Sequence, residues 1–132
     1  MRILLDTNII LEILLEQEKA KEVKALFDRL DQHETFLSAF SLYSIGLVFF
    51  RRKRHEVFRG FLNDLLLNGG VEVFSLLPED METVITTAQK FNLDFDDAYQ
   101  YVVAEKHDLI LISFDHDFDR TGRGRKTPAQ IL

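Results

Sequence analysis

Arg2-Ile3-Leu4-Leu5-Asp6-Thr7-Asn8 decides how this chain is read. Ile3, Leu4 and Leu5 form an apolar run long enough for a buried strand. Asp6 stops it. Thr7 and Asn8 lead into Ile9–Leu15, whose apolar residues have helical spacing. A carboxylate at that junction stands at the carboxyl end of a strand, where open α/β sheets form their ligand crevices. Taken alone, Asp6 and Asn8 also read as helix caps. Acids at comparable positions near the other end of the sequence shift the balance towards a site.

Working outward, the chain alternates strands and helices. A helix follows to about Gln17, and a second spans Lys19–Leu30 with Val23, Leu26, Phe27 and Leu30 on one face. Thr35-Phe36-Leu37 is a short strand. The next helix, from Ser38 or Phe40 to Phe50, is apolar nearly all round and is expected to be buried. Val57–Leu67 is amphipathic and stops at Asn68-Gly69-Gly70. Val71–Leu76 alternates as a strand does. Pro78 opens a helix to about Phe91, with Glu79, Asp80 and Glu82 near its positive end. Asp94 begins another to about Lys106, and Leu109–Ile112 is a second fully apolar strand. This order predicts one domain over residues 1–132, a three-layer α/β/α fold with a central, mostly parallel sheet.

Composition narrows the function. The 132 residues are enough for a real core. There is no cysteine, which removes disulfides and thiolate metal sites and fits a reducing, cytoplasmic compartment. Asp6, Asn8 and Glu12 interrupt any signal-peptide core. The longest uncharged run, Thr35–Phe50, is too short and too rich in serine for a membrane span. A net charge of −6 argues against a general nucleic-acid coat. Two basic blocks, Arg51–Arg54 and Arg120, Arg123, Arg125 and Lys126, still offer local patches for a polyanion. His33, His55 and His107 have no zinc spacing, and His116 among aspartates reads as a solvated histidine.

Three acidic places stand out: Asp6 after the first strand, Asp96-Asp97 at the start of the helix before the last strand, and Asp115 after that strand, followed by Asp117 and Asp119. If the two apolar strands are parallel neighbours, Asp6 and Asp115 emerge at one edge. The helix feeding the last strand runs back across the sheet, so Asp97 arrives at the same edge. Each acid alone also reads as a cap, a dipole partner or a polar turn. Converging carboxylates repel by several kcal/mol unless neutralised. A hard divalent cation, Mg²⁺ or Mn²⁺, accepts such all-oxygen ligands and supplies activated water for phosphodiester hydrolysis.

Leu4-Leu5-Asp6-Thr7-Asn8-Ile9, then Phe95-Asp96-Asp97-Ala98, then Leu111-Ile112-Ser113-Phe114-Asp115-His116-Asp117-Phe118 resembles the PIN-domain family, whose bacterial and archaeal members are mostly VapC-type toxins. The resemblance covers the whole chain in length and order of elements. It implies a metal-dependent endoribonuclease that leaves 5′-phosphate and 3′-hydroxyl ends. It makes Asp6, Asp97 and Asp115 the metal-binding catalytic acids, with Asp117 as a further ligand. Asn8 and Ser113 would hold Asp6 and Asp115 in place. RNA would lie against Arg120, Arg123, Arg125 and Lys126. An antitoxin protein and a second copy of the chain are the partners implied. One departure stands out: the glutamate the family carries after the second strand falls on Ser44. Asp96 or Asp117 would have to compensate. The alternative is a catalytically degenerate PIN-like domain that binds RNA or protein. A receiver or dehalogenase-like phosphatase fits less well, because no Asp-x-Asp follows Leu5.

Overall fold

The computed structural model describes residues 1–132. The elements in order are β1 (Arg2–Leu5), α1 (Thr7–Leu14), α2 (Ala20–Phe27), β2 (Glu34–Ser38), α3 (Ala39–Arg51), α4 (His55–Phe61), β3 (Glu72–Phe74), α5 (Met81–Phe91), α6 (Phe95–His107) and β4 (Ile110–Ile112). The strands form one sheet in the order β3-β2-β1-β4. All three pairings are parallel, with Ile3 set against Thr35 on one side and Ile110 on the other.

Alternation along the strands divides the core in two. Ile3 and Leu5 point into one cluster with Ile9, Val23, Leu26, Ile45, Phe49 and Phe61, drawn from α1 to α4. Leu4 points the other way, into a cluster with Val84, Ala98, Val102 and Leu111, covered by α5 and α6. The expected three-layer α/β/α arrangement is therefore the observed one. Ile3, Leu4 and Leu5 are fully buried, each contributing about 1.5–3 kcal/mol of burial. Beyond β4, the backbone of Lys126 accepts from Ser113 N and donates to the Leu111 carbonyl, covering the outer edge of that strand.

Several boundaries differ from the sequence reading. The second helix stops at Phe27 and passes through a short 3₁₀ turn at Leu30–Gln32. α4 begins at His55 and loosens into π-helical turns over Leu62–Leu67 before the two glycines. α5 and α6 end where the sequence places them to within a residue, at Phe91 and His107, each followed by a left-handed residue, Asn92 and Asp108. The largest difference is α3. Its Ile45 and Phe49 are buried, but Tyr43, Leu47 and Phe50 are 68%, 55% and 58% exposed. A helix on the outside of one sheet face has a layer beneath it and none above. Apolar residues all round therefore leave one stripe in water. No helix is long and apolar enough to cross a membrane.

Candidate metal centre

The carboxyl ends of β1 and β4 lie side by side because Asp6 N donates to the Ile112 carbonyl at 2.9 Å, extending the ladder one step past each strand. Asp6 has extended backbone geometry and caps α1, so its carboxylate turns back under the helix start. It is 5% exposed. Its Oδ1 accepts from Thr7 N and from Gln100 Nε2, both at 2.8 Å. Its Oδ2 accepts from Ser113 Oγ at 2.6 Å. Burial pushes the Asp6 pKa up, while these hydrogen bonds pull the other way.

Ser113, fully buried, joins the two strand ends. Its Oγ donates to Asp6 and accepts from Asp115 N at 3.0 Å and from Asn8 Nδ2 at 3.3 Å. Asn8 Oδ1 also accepts from Phe114 N. Asp115 in turn accepts from Asp117 N, which closes the turn after β4. The capping geometry that sequence reading assigns to these residues is thus present, and it aims the same carboxylates at one place.

Asp94 stands at the amino end of α6 without a side-chain capping bond, and Asp97 in the first turn is buried. Carboxylate oxygens of Asp97, Asp115 and Asp117 lie within 4.8 Å of one another; so do those of Asp94, Asp96 and Asp97. Asp6, Asp97 and Asp115 line one cavity of about 330 Å³ with Asn8, Phe40, Ser44, Asp96 and Gln100, and Asp117 stands just outside that wall. No lysine or arginine lines it. Burial, and then the charges of Asp96, Asp115 and Asp6, raise the Asp97 pKa to about 8. This is the signature of acids held together without a counter-charge. The donor set is oxygen only, which fits a hard divalent cation and excludes a soft one. Ser44, where the family resemblance leads one to expect glutamate, is half-buried in the wall and adds no charge.

Thr7, Ser41 and Gln100 are the residues that sequence reading passed over. Gln100 Nε2 donates to Ser41 Oγ at 2.7 Å as well as to Asp6. Thr7 Oγ1 donates to Ser41 Oγ at 2.8 Å. The available signal was spacing: Gln100 lies three residues after Asp97, on the same helix face.

The basic tail folds back on the protein. Arg120 donates to Asp117 and to the Phe91 and Asn92 carbonyls. Arg123 holds Asp108 and the Leu109 carbonyl. Arg125, with its side chain 10% exposed, clasps both oxygens of Asp119 and donates to the Ser113 carbonyl. Its guanidinium holds the Asp119 pKa below the ordinary value. Lys126 forms no ion pair. Arg51, Arg52 and Lys53 are exposed at the far end of α3, about 20 Å of helix from Ser38.

Comparison with known proteins bears on the family and the fold. A family model described as PIN domain matches residues 3–124. The fold is similar to that of a toxin–antitoxin complex from Klebsiella pneumoniae, at TM-score 0.72 and 20% identity, covering 96% of this chain and 97% of that one. It is similar to VapBC2 from Rickettsia felis bound to a promoter DNA fragment, at TM-score 0.76 and 12% identity over 96% and 97%. A third likeness is to VapC20 from Mycobacterium tuberculosis, a sarcin-ricin loop cleaving toxin, at TM-score 0.71 and 19% identity over 92% and 95%. At these identities the likeness is one of fold. No curated protein matches the sequence.

Proposed function

The chain belongs to the PIN-domain family, and from that premise we propose that it is a divalent-metal-dependent endoribonuclease. The observation that carries the reading is that Asp6, Asp97 and Asp115 share one cavity wall with no basic residue in it, with Asp117, held by Arg120, within 4.8 Å of Asp97 and Asp115. Asp6, Asp97 and Asp115 would hold Mg²⁺ or Mn²⁺, with Asp117 as the further ligand. When bound, such a cation offsets phosphate charge and lowers the pKa of a coordinated water. The protein's own residues do the rest. Ser113 and Asn8 fix Asp6 and the Asp115 turn relative to each other. Asp96, at the cavity lip, and Ser44, in its wall, are hydrogen-bonding groups for water and for a phosphodiester drawn into it. Arg120, Arg123 and Lys126 keep partly exposed side chains on the tail and are the candidates for backbone phosphates, whereas Arg125, 10% exposed, would have to release Asp119 to reach one.

A toxin role with an antitoxin partner follows the toxin–antitoxin neighbours. The exposed Tyr43, Leu47 and Phe50 stripe is apolar surface available to an antitoxin or to a second copy. RNA and antitoxin alike would be met in the cytoplasm. Ser44 favours one further reading, a domain that binds RNA or protein and cleaves nothing.

The test is cleavage of end-labelled RNAs by the purified chain with Mn²⁺, Mg²⁺ or EDTA, beside Asp6→Asn. Metal-dependent cutting that the variant lacks is the expected result. Equal cutting by the variant would refute the assignment of Asp6. A wild type that binds Mn²⁺ but cuts none of a varied RNA set would favour the binding domain.

A further inference from the structure

We propose that Gln100 is a positioning residue of this centre, which orders Asp6 by hydrogen bonding where a fourth carboxylate at position 44 would have acted by charge. The inference rests on the metal-site reading above and extends it to the number of contacts Asp6 can make.

Gln100 sits one turn past Asp97 on α6 and is 1% exposed. It lines the acidic cavity. Both N–H groups of its amide are engaged, one on Asp6 Oδ1 and one on Ser41 Oγ. The side chain thereby ties together the end of β1, the first turn of α3 and α6. The orientation of the amide is fixed by its partner, because the reversed amide would set Oε1 against a carboxylate oxygen.

The consequence for Asp6 is an acceptor count. A carboxylate offers about four lone-pair directions. Oδ1 accepts two hydrogen bonds and Oδ2 accepts one. Only Oδ2 keeps an open direction, so Asp6 presents one oxygen to the cavity. The torsion that turns a carboxylate about its own axis is otherwise soft, and the three donors stop it. Gln100 Oε1 is buried and has no hydrogen-bond partner among the protein's atoms. A buried acceptor without a donor is unusual. Its lack of a donor is the cost of turning both amide N–H groups towards Asp6 and Ser41.

The experiment is calorimetric titration of the full chain with Mn²⁺, together with melting in EDTA, for wild type, Gln100→Met and Gln100→Glu. Methionine keeps the volume and removes the amide. The melting temperature in EDTA should stay within a few degrees, while the Kd for Mn²⁺ rises about 10–100-fold. Gln100→Glu, which replaces the donor by an acceptor, should not restore affinity. Binding by Gln100→Met within twofold of wild type would overturn the proposal. Tighter binding by Gln100→Glu would also overturn it, since the position would then want a ligand rather than a donor. If Gln100→Met does not fold, Ser41→Ala carries the test by removing the amide's other acceptor. Several-fold weaker Mn²⁺ binding supports the proposal, and unchanged affinity overturns it. A wild type that binds no Mn²⁺ overturns the underlying metal reading instead, a result distinct from any variant's behaviour.

Discussion

Two groups of aspartates stand a few residues apart and have opposite surroundings. Asp117 and Asp119 on the tail, with Asp108 at the end of α6, each face an arginine, and the Asp119 pKa is held low by Arg125. Asp6, Asp97 and Asp115 face one another and no cation, and the Asp97 pKa rises to about 8. The first group fastens the chain to itself. The second keeps unbalanced charge in a partly dry wall, a cost to stability that evolution tolerates where a ligand supplies the balance. Asp117 belongs to both groups, since Arg120 holds it while its oxygens remain within 4.8 Å of Asp97 and Asp115.

Breaking the unbalanced side should have the largest effect. Asp97→Asn should lower metal-dependent cleavage by at least about 100-fold, the loss of several kcal/mol of charge stabilisation. The same variant should change the pH dependence of the metal-free fold. Asp97 ionises near 3.8 when unfolded and near 8 when folded, so the folded chain binds the extra proton between those values. Stability therefore falls as pH rises from about 4 to about 8. Melting scans in EDTA should show that decline in wild type and a flatter profile in Asp97→Asn; an equal slope in both would assign it to another group. Adding charge sharpens the contrast next. Ser44→Glu should melt lower than wild type in EDTA and bind Mn²⁺ on the order of tenfold more tightly, read by calorimetry. On the balanced side the effects are smaller. Arg125→Met should cost about 2 kcal/mol in urea melts, mainly through the Ser113 carbonyl and lost packing. The exposed Lys24–Asp28 pair lies outside both groups, and Lys24→Ala should change stability by less than about 0.5 kcal/mol.

Much of this was legible in the residues. The fully apolar runs Ile3–Leu5 and Leu109–Ile112 announce strands covered on both faces, and an acid after each announces a shared edge. The rest depended on tertiary facts that carry no local signal. A glutamine inside a helix reads the same whether it faces water or, like Gln100, a buried carboxylate. The tail arginines show as charge in the sequence, but not that Asp108, Asp117 and Asp119 return to meet them. Apolar residues all round α3 say nothing about whether a layer lies above the helix. That is why Tyr43, Leu47 and Phe50 came out exposed.

The pairing of β1 with β4 also sets an order in time. Asp6 leaves the ribosome well before its neighbours Ser113 and Asp115, and the contacts that join them are among the most distant in sequence. Such pairings form late and slowly. A nascent chain, or one clipped between Asp97 and Ile110, has the first acid at a bare strand edge and nothing to complete the centre. A centre built this way stays incomplete until β4 docks beside β1 and brings Ser113 and Asp115 to Asp6.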